Sequence, residues 1–456
     1  MNSPVKKNQD ITLEIIDLSY EGLGVAKLDH YPIFVDDALP GEKVIAHIVK
    51  VGKKFAFAKA IQHLTVSSNR VDLKDRQLTQ TGIAPLQHLS YAAQLQFKTQ
   101  QVIQALKKAG LSQLKVADTI GMNPTVGYRN KAQVPVRRGK DGLDIGFFRK
   151  NSHQFIPMDD FYIQDPAIDR ALIVVRDILR QFGVSAYDET KHEGVMRHIM
   201  IRRGYHSHEM MVVLVTRKKK LFKAQQIAQA IMAALPEVVS VVQNINDQRT
   251  NVILGKEETL LAGRPYIEDE MLQHQFYISA PSFYQVNTAQ AEAMYQYAIH
   301  HTQLNPDTIA IDAYCGIGTI TLSVAPFVKH IYGVEIVPEA IHDAKKNARL
   351  NHLDNATFVA GKAEEVMKEW QQKGIQADVV FVDPPRKGLA SDFTQTLIET
   401  QPKQISYISC NPATFARDAA LLTQGGYTLS IVQPFDMFPQ TTHIELVAIF
   451  ERNEVL

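Results

Sequence analysis

From about Phe276 to the end of the chain, short apolar runs alternate with amphipathic stretches long enough to be helices. Parallel strands cannot be joined by a tight turn. They need a crossover of about a dozen residues or more, and a helix supplies it. The alternation therefore predicts a doubly wound α/β sheet, a Rossmann-like domain. Strands are expected at Thr308–Asp312, His330–Val334, Ala356–Ala360, Ala377–Val382 and in the run from Ile405 to Cys410. Tyr427–Val432 and Glu445–Glu451 would close the sheet. Helices are expected at Thr321–Ala325, Glu339–Leu350, Glu364–Gln371, Phe393–Glu399 and Ala413–Leu422, with a long helix from Ser282 to about His301 ahead of the first strand.

Open sheets of this class bind ligands in the crevice at the carboxyl ends of their strands. Asp312-Ala-Tyr-Cys-Gly-Ile-Gly318 follows the first strand, and its glycines let backbone approach a ligand where a Cβ would collide. The third glycine of a dinucleotide fingerprint is missing, which weakens NAD as the ligand. One strand later Glu335 sits where an acid can accept two hydrogen bonds from a ribose diol. Asp383-Pro-Pro-Arg386 follows a later strand. A glycine loop or a strand-end acid is common on its own. The three in succession fit S-adenosylmethionine at the switch point of a methyltransferase sheet. Cys315, inside the glycine loop, reads as a packing residue.

Cys410 stands where the Ile405 strand runs out, and Asn411-Pro412 prevents the strand from continuing. A free cysteine is more often a small buried hydrophobe than a nucleophile, so the reading depends on its partners. Asp383 and Cys410 would share one crevice, and His443 and Glu445 fall at the start of the last strand. Carbon C5 of a pyrimidine is a poor nucleophile until a thiolate adds at C6. A base must then take the C5 proton so that the thiol can leave. Cys410 suits the first role and Glu445 the second; His443 is given none. A stacked base cannot reach such a pocket and must be flipped out. The residues leave cytosine open as the base, and they leave open a protein that only binds ribosomal RNA during assembly.

A chain of 456 residues is too long for one core and suggests several domains. Hydrophobic residues at 45% and charged residues at 21% describe an ordinary globular protein. The net charge of +1 means that any basic surface must be local. Two cysteines fit a reducing cytosol and cannot hold a four-thiolate metal or iron–sulfur site. The sequence from Met1 has no apolar signal region, and no run is long enough to span a membrane. The segment 1–65 carries five short apolar runs between Gly/Pro turns, which predicts a small OB-like β-barrel with Lys50, Lys53, Lys54 and Lys59 around Phe55 and Phe57. Charges on phosphates and rings under bases suit RNA; a solvated lysine face over core phenylalanines is the alternative. The segment 66–275 reads as an α+β domain. It opens with a helical run from Asp75 to Ala109 and continues with the basic residues Arg129, Lys131, Arg137, Arg138, Arg149 and Lys150. Alternating strands follow at Met196–Arg203 and Glu209–Val215, then a helix from Phe222 to Leu235 and a strand from Val238 to Ile245. Arg217-Lys-Lys-Lys220 reads as a solvated turn. The segment 276–456 is the Rossmann-like domain.

These motifs resemble the S-adenosylmethionine-dependent RNA uracil-C5 methyltransferases. The match is nearest to the bacterial 23S ribosomal RNA enzymes, the Gram-positive ones included. Phe283-Tyr-Gln-Val-Asn287, Asp312–Gly318, Asp383–Arg386, Ser409-Cys-Asn-Pro412 and His443-Ile-Glu445 occur in the family's order. The resemblance implies an N-terminal TRAM-like barrel, Gln285, Tyr314, Glu335 and Asp383 on the cofactor, Cys410 as nucleophile and Glu445 as base. It also implies a cytoplasmic monomer acting on 23S rRNA, with no protein partner; transfer RNA is the alternative substrate. Uracil over cytosine rests on the resemblance alone. Many relatives hold an iron–sulfur cluster on four cysteines. Here the matching stretches, Thr81–His88 and Asp160–Gln164, have none, and Phe161 stands at the fourth position. No cluster is expected, with apolar packing in its place.

Overall fold

The computed structural model describes residues 3–453; the outermost limits of the expected first and last segments, at residues 1 and 456, lie outside them. The N-terminal strands form one six-stranded sheet in the order Asp10–Glu14, Lys43–Val51, Ala56–His63, Tyr31–Asp36, Gly24–Leu28, Asp17–Leu18. It curls over Ile15, Ile33, Val35, Val44, Ala46 and Ile48. Phe55 and Phe57 lie outside this core, with Phe34 at ring separations of 5.5–5.7 Å, and Phe55 is exposed. The rings therefore share the outer face with the lysines and do not fill the interior.

The helical run expected from Asp75 to Ala109 is two helices, Arg76–Thr81 and Tyr91–Lys108. Asp75 caps the first by accepting the Gln77 amide, and Gly82 ends it in the left-handed conformation at φ 77°. The second helix packs on helix Pro412–Gln424 and puts Val102 and Leu106 into the core of the C-terminal sheet.

The central sheet has seven strands in the order Glu257–Gly263, Val238–Ile245, Met210–Thr216, Met196–Arg203, Lys131–Gly139, Gly142–Phe148, Phe155–Pro157. Helices Pro166–Gln181 and Ala224–Ala234 cover one face. Sequence reading missed the first of them, although Asp165-Pro166 caps and opens it. The second starts at Ala224, so Phe222 lies before it and is exposed. Met210–Thr216 does not alternate as expected: every residue is buried. Helices cover one face of that strand, and a hairpin, Tyr266–Met271 with His274–Ser279, joins the core behind the other. Ala84 and Phe161, from the stretches where relatives place cluster cysteines, lie in one apolar core. Arg217–Lys220 is a mostly exposed bend.

In the C-terminal sheet the strands, in chain order, are Ile309–Asp312, His330–Glu335, Ala356–Ala360, Val379–Val382, Gln404–Ser409, Tyr427–Phe435 and Glu445–Arg452. They lie side by side as third, second, first, fourth, fifth, seventh, sixth. The first five are parallel, and the seventh enters antiparallel between the fifth and the sixth. The helix expected from Ser282 starts only at Thr288, because Asn287 is its cap and accepts the Gln290 amide. Ser282–Val286 is left as loop along the carboxyl edge of the sheet.

Candidate active site

A cavity of about 910 Å³ opens at the carboxyl edge of this sheet, where the strands diverge around the glycine loop. Gln285, Tyr314, Glu335, Asp383, Cys410 and Glu445 all line it. Tyr314, Glu335, Asp383 and Cys410 meet there because parallel strands present their carboxyl ends on one side, and the loop carrying Gln285 runs along that edge.

Cys410 follows the fifth strand directly. Asn411 ends that strand by capping the next helix through the Ala413 amide, and Pro412 occupies the helix start. The Asn411 side chain also donates to the Arg386 carbonyl at 2.9 Å, tying the turn after Cys410 to the Asp383–Arg386 loop. Glu445 arrives differently. Its strand is antiparallel, so its first residue, not its last, sits at the carboxyl edge. The ladder ends with Ser409 paired to Leu446, so Cys410 and Glu445 flank its last pair at the same end. Both end on the cavity.

Acids dominate this corner. Burial, then Glu445 and Asp383, push the Cys410 thiol up to about 11, against a smaller lowering by Arg386. Burial and the Asp312 carboxylate raise Asp383 to about 7. Burial and Asp383 raise Glu445 well above the carboxylate range, and Arg386 opposes them. Three groups that compete to stay protonated beside one arginine form a site suited to a bound cation.

The cofactor side fits S-adenosylmethionine. Gly316 has φ 51°, and a Cβ there would meet nothing within 4 Å, so it would project into open cavity. Glu335 holds the Val337 amide at 3.0 Å through Oε1 alone, and Ile336 beside it is an exposed apolar side chain on the cavity wall. Gln285 is buried and donates to the Tyr295 hydroxyl at 3.2 Å. Tyr314 stands edge-on to Phe393. Cys315 is packed in the core, as its place in the loop suggested. Among the described residues no group of three or more His, Cys, Asp or Glu could hold a metal, and no helix is long and apolar enough to cross a membrane.

Several lining residues escaped the sequence reading. His443, left without a role, accepts a 3.4 Å contact from Arg386 and meets the Phe438 ring edge-on at 6.1 Å. Burial of the ring against the wall, then Arg386, Lys98 and Arg129, push its imidazole down, although the residue keeps an open side. Arg129 lies 6.0 Å over the Phe438 ring. Phe283, exposed, stands at the mouth. Phe283 was legible as part of an aromatic motif. Arg129 was legible only as one of several basic residues and Phe438 had no signal, because only the tertiary fold brings the two together.

The segment Asp436–Glu445, which carries Phe438, His443 and Glu445, is held from outside the sheet. Lys98 donates to the Asp436 carboxylate and to the Phe438 carbonyl, and both side chains of the ion pair are fully buried. Gln94 exchanges two hydrogen bonds with Gln440, at 2.9 and 3.0 Å. Tyr128 donates to the Pro439 carbonyl and Asn287 to that of Met437.

The chain matches the family model described as tRNA (uracil-5-)-methyltransferase over residues 90–453 and the TRAM domain over residues 4–61. It is 55% identical over 452 residues to an uncharacterized RNA methyltransferase of Enterococcus faecalis, covering 99% of each chain. It is 52% identical over 455 residues to one of Lactiplantibacillus plantarum, covering 100% of each. The Pyrococcus abyssi tRNA (uracil-54, C5)-methyltransferase, solved in complex with S-adenosyl-L-homocysteine, superposes with a TM-score of 0.77 at 26% identity, over 96% of this chain and 99% of that one. A sheet of this order, a cavity suited to a cationic cofactor and relatives matched end to end place the chain in the tRNA (uracil-5-)-methyltransferase family, as an S-adenosylmethionine-dependent RNA methyltransferase with an N-terminal TRAM domain.

Proposed function

We propose that this enzyme methylates C5 of uridine in 23S rRNA through a covalent bond from Cys410 to C6, resolved by Glu445. The observation that carries the chemistry is that Cys410 and Glu445 flank the last pair of one strand ladder and line the same cavity. When bound, S-adenosylmethionine supplies the methyl group on a sulfonium, whose charge favours ionisation of the three neighbouring acids. Cys410 gives its proton to solvent as Sγ adds to C6, and the C5–C6 pair of electrons moved toward O4 makes C5 the nucleophile. After C5 is methylated, the Glu445 carboxylate takes the C5 proton, the Sγ–C6 bond breaks and the double bond re-forms. Arg386 limits the repulsion among the acids and supports the thiolate. Gln285, Tyr314, Glu335 and Asp383 hold the cofactor. Phe283 and Phe438 offer faces for a flipped base or its neighbours. Three folding units, at 1–65, 66–275 and 276–456, divide RNA grip from chemistry, although the helix Tyr91–Lys108 packs with the last. A cytoplasmic monomer is the setting this reading implies.

The choice of 23S rRNA rests on the motif resemblance. A second reading, transfer RNA, is favoured by the Pyrococcus abyssi enzyme's own substrate and by the family description. The test is methyl transfer from labelled S-adenosylmethionine to unmodified 23S rRNA and to transfer RNA, followed by digestion to nucleosides. Label in 5-methyluridine from 23S rRNA is expected. Label only in transfer RNA replaces the substrate, label in another nucleoside overturns the base, and no label in either removes the catalytic reading.

A further inference from the structure

Lys131 and Arg202 stand directly opposite each other on neighbouring antiparallel strands of the central sheet. Like charges in that position repel. Arg129, two residues before Lys131, extends the row to the wall of the active-site cavity. Among the described residues none of the three forms an ion pair, and Lys131 has no side-chain hydrogen bond. Arg202 is buried at 2% exposure and donates only Nη2, to the Ser282 carbonyl at 2.7 Å; its Nε and Nη1 have no partner.

Other cations of this sheet are better compensated: Arg197 donates to the carbonyls of Asn246, Gln248 and Thr250. Arg203, the residue after Arg202, turns to the other face and pairs with Asp165 at 2.7 Å, and Arg137 pairs with Glu189. Burial and the guanidiniums of Arg202 and Arg129 push the Lys131 ammonium down, and burial lowers both arginines, with no carboxylate among the groups that act on the three. Asp269, which bonds Tyr284, is already occupied by the amides of Tyr205, His206 and Ser207. Burying unpaired cations is costly, and such a cluster persists where a ligand supplies the anion. Arg202 meets the loop Ser282–Val286 at the Ser282 carbonyl, and Phe283 of that loop is exposed and lines the cavity with Arg129.

We propose that Arg129 and Lys131, backed by the buried charge of Arg202, form a binding site for a backbone phosphate of the RNA, beside the nucleotide whose base enters the cavity. This rests on RNA being the substrate, not on which base is methylated. In the free protein, burial and then Arg202 and Arg129 push the Lys131 ammonium down to about 7. At pH 7.5 a phosphate docking there restores up to about three quarters of a proton.

The experiment compares wild type, Lys131→Gln and Lys131→Arg. Binding of 23S rRNA and transfer RNA is measured across a KCl series, proton uptake by calorimetry in buffers of different ionisation enthalpy, and thermal unfolding without RNA. Lys131→Gln should lower the salt slope by about one, abolish the proton uptake and unfold at the same or a higher temperature, because a repulsion has been removed. Lys131→Arg should keep the slope and lose the uptake. Unchanged slope and uptake in Lys131→Gln, a lowered unfolding temperature in that variant, or a wild type that binds neither RNA overturns the site. RNA held through Lys131 but yielding no 5-methyluridine would sink the proposed chemistry and leave the site standing.

Discussion

Replacing Lys98 with methionine tests whether a residue outside the sheet holds Glu445 in place. Lys98 and Asp436 are both fully buried, and the lysine also holds the Phe438 carbonyl at 3.0 Å. Methionine keeps the apolar stem but leaves the Asp436 carboxylate in the interior without its cation. Breaking one side of a buried pair costs about 3–5 kcal/mol, roughly two to four orders of magnitude in the folding equilibrium. Replacing both partners with apolar residues is near neutral, so Lys98→Met/Asp436→Leu should return to within about 1–2 kcal/mol of wild type. The single tryptophan, Trp370, is a local reporter, because it is buried in the same core as Val102 and Leu106 of the Lys98 helix. Its fluorescence during denaturant unfolding follows the domain that matters, whatever the TRAM domain does. Turnover should fall roughly tenfold or more in Lys98→Met through displacement of Glu445, with S-adenosylhomocysteine affinity little changed. Costs that simply add in the double variant, or a Lys98→Met protein with wild-type stability and turnover, would refute the argument.

Glu445→Gln should transfer the methyl group yet accumulate a denaturation-resistant RNA adduct, with turnover down roughly 10²-fold or more; normal turnover removes Glu445 as base. Cys410→Ala should abolish methylation and keep cofactor binding, and residual turnover would remove the nucleophile. With its thiol near 11, Cys410 of the free protein should react with iodoacetamide at pH 7.5 roughly two orders of magnitude more slowly than an ordinary cysteine. Arg386→Met should slow it further; mass spectrometry of the Cys410 peptide reads both, and fast alkylation contradicts the electrostatics. Gly316→Ala places a Cβ in the cavity at φ 51° and should weaken S-adenosylhomocysteine at least about fivefold, with backbone strain of about 1–3 kcal/mol; calorimetry showing equal affinity refutes the cradle. Asp383 holds its proton up to about 7 when folded, so the native state binds more protons than the unfolded one between about pH 4 and pH 7 and loses stability as pH rises through that window. Asp383→Asn should flatten that loss in thermal unfolding and weaken the cofactor; an unchanged pH profile refutes the assignment.

Much of this site can be read one residue at a time, because a parallel sheet turns sequence order into spatial order. Gly316, Glu335, Asp383 and Cys410 each follow an apolar run, and a run followed by a polar turn marks a strand's carboxyl end wherever it occurs. The helix start at Thr288 was misplaced because Ser282–Val286 has helix-compatible composition, and only the Asn287 cap bond decides the boundary. Met210–Thr216 was misread as half-buried because what covers its second face comes from another part of the chain.

The sequence by itself determined the fold class, the strand ends and the chemistry available there, since local periodicity and turn residues act over a few positions. Only the tertiary structure decided the rest. The antiparallel insertion of the last strand turns Glu445 from a strand's first residue into the neighbour of Cys410. The grip of Lys98, Gln94 and Tyr128 on the Asp436–Glu445 segment joins residues more than three hundred positions apart. The uncompensated row of Arg129, Lys131 and Arg202 shows itself only when the surrounding acids are seen to be engaged elsewhere. Pairing, burial and the absence of a counter-charge are properties of neighbours in space, and a linear pattern does not carry them.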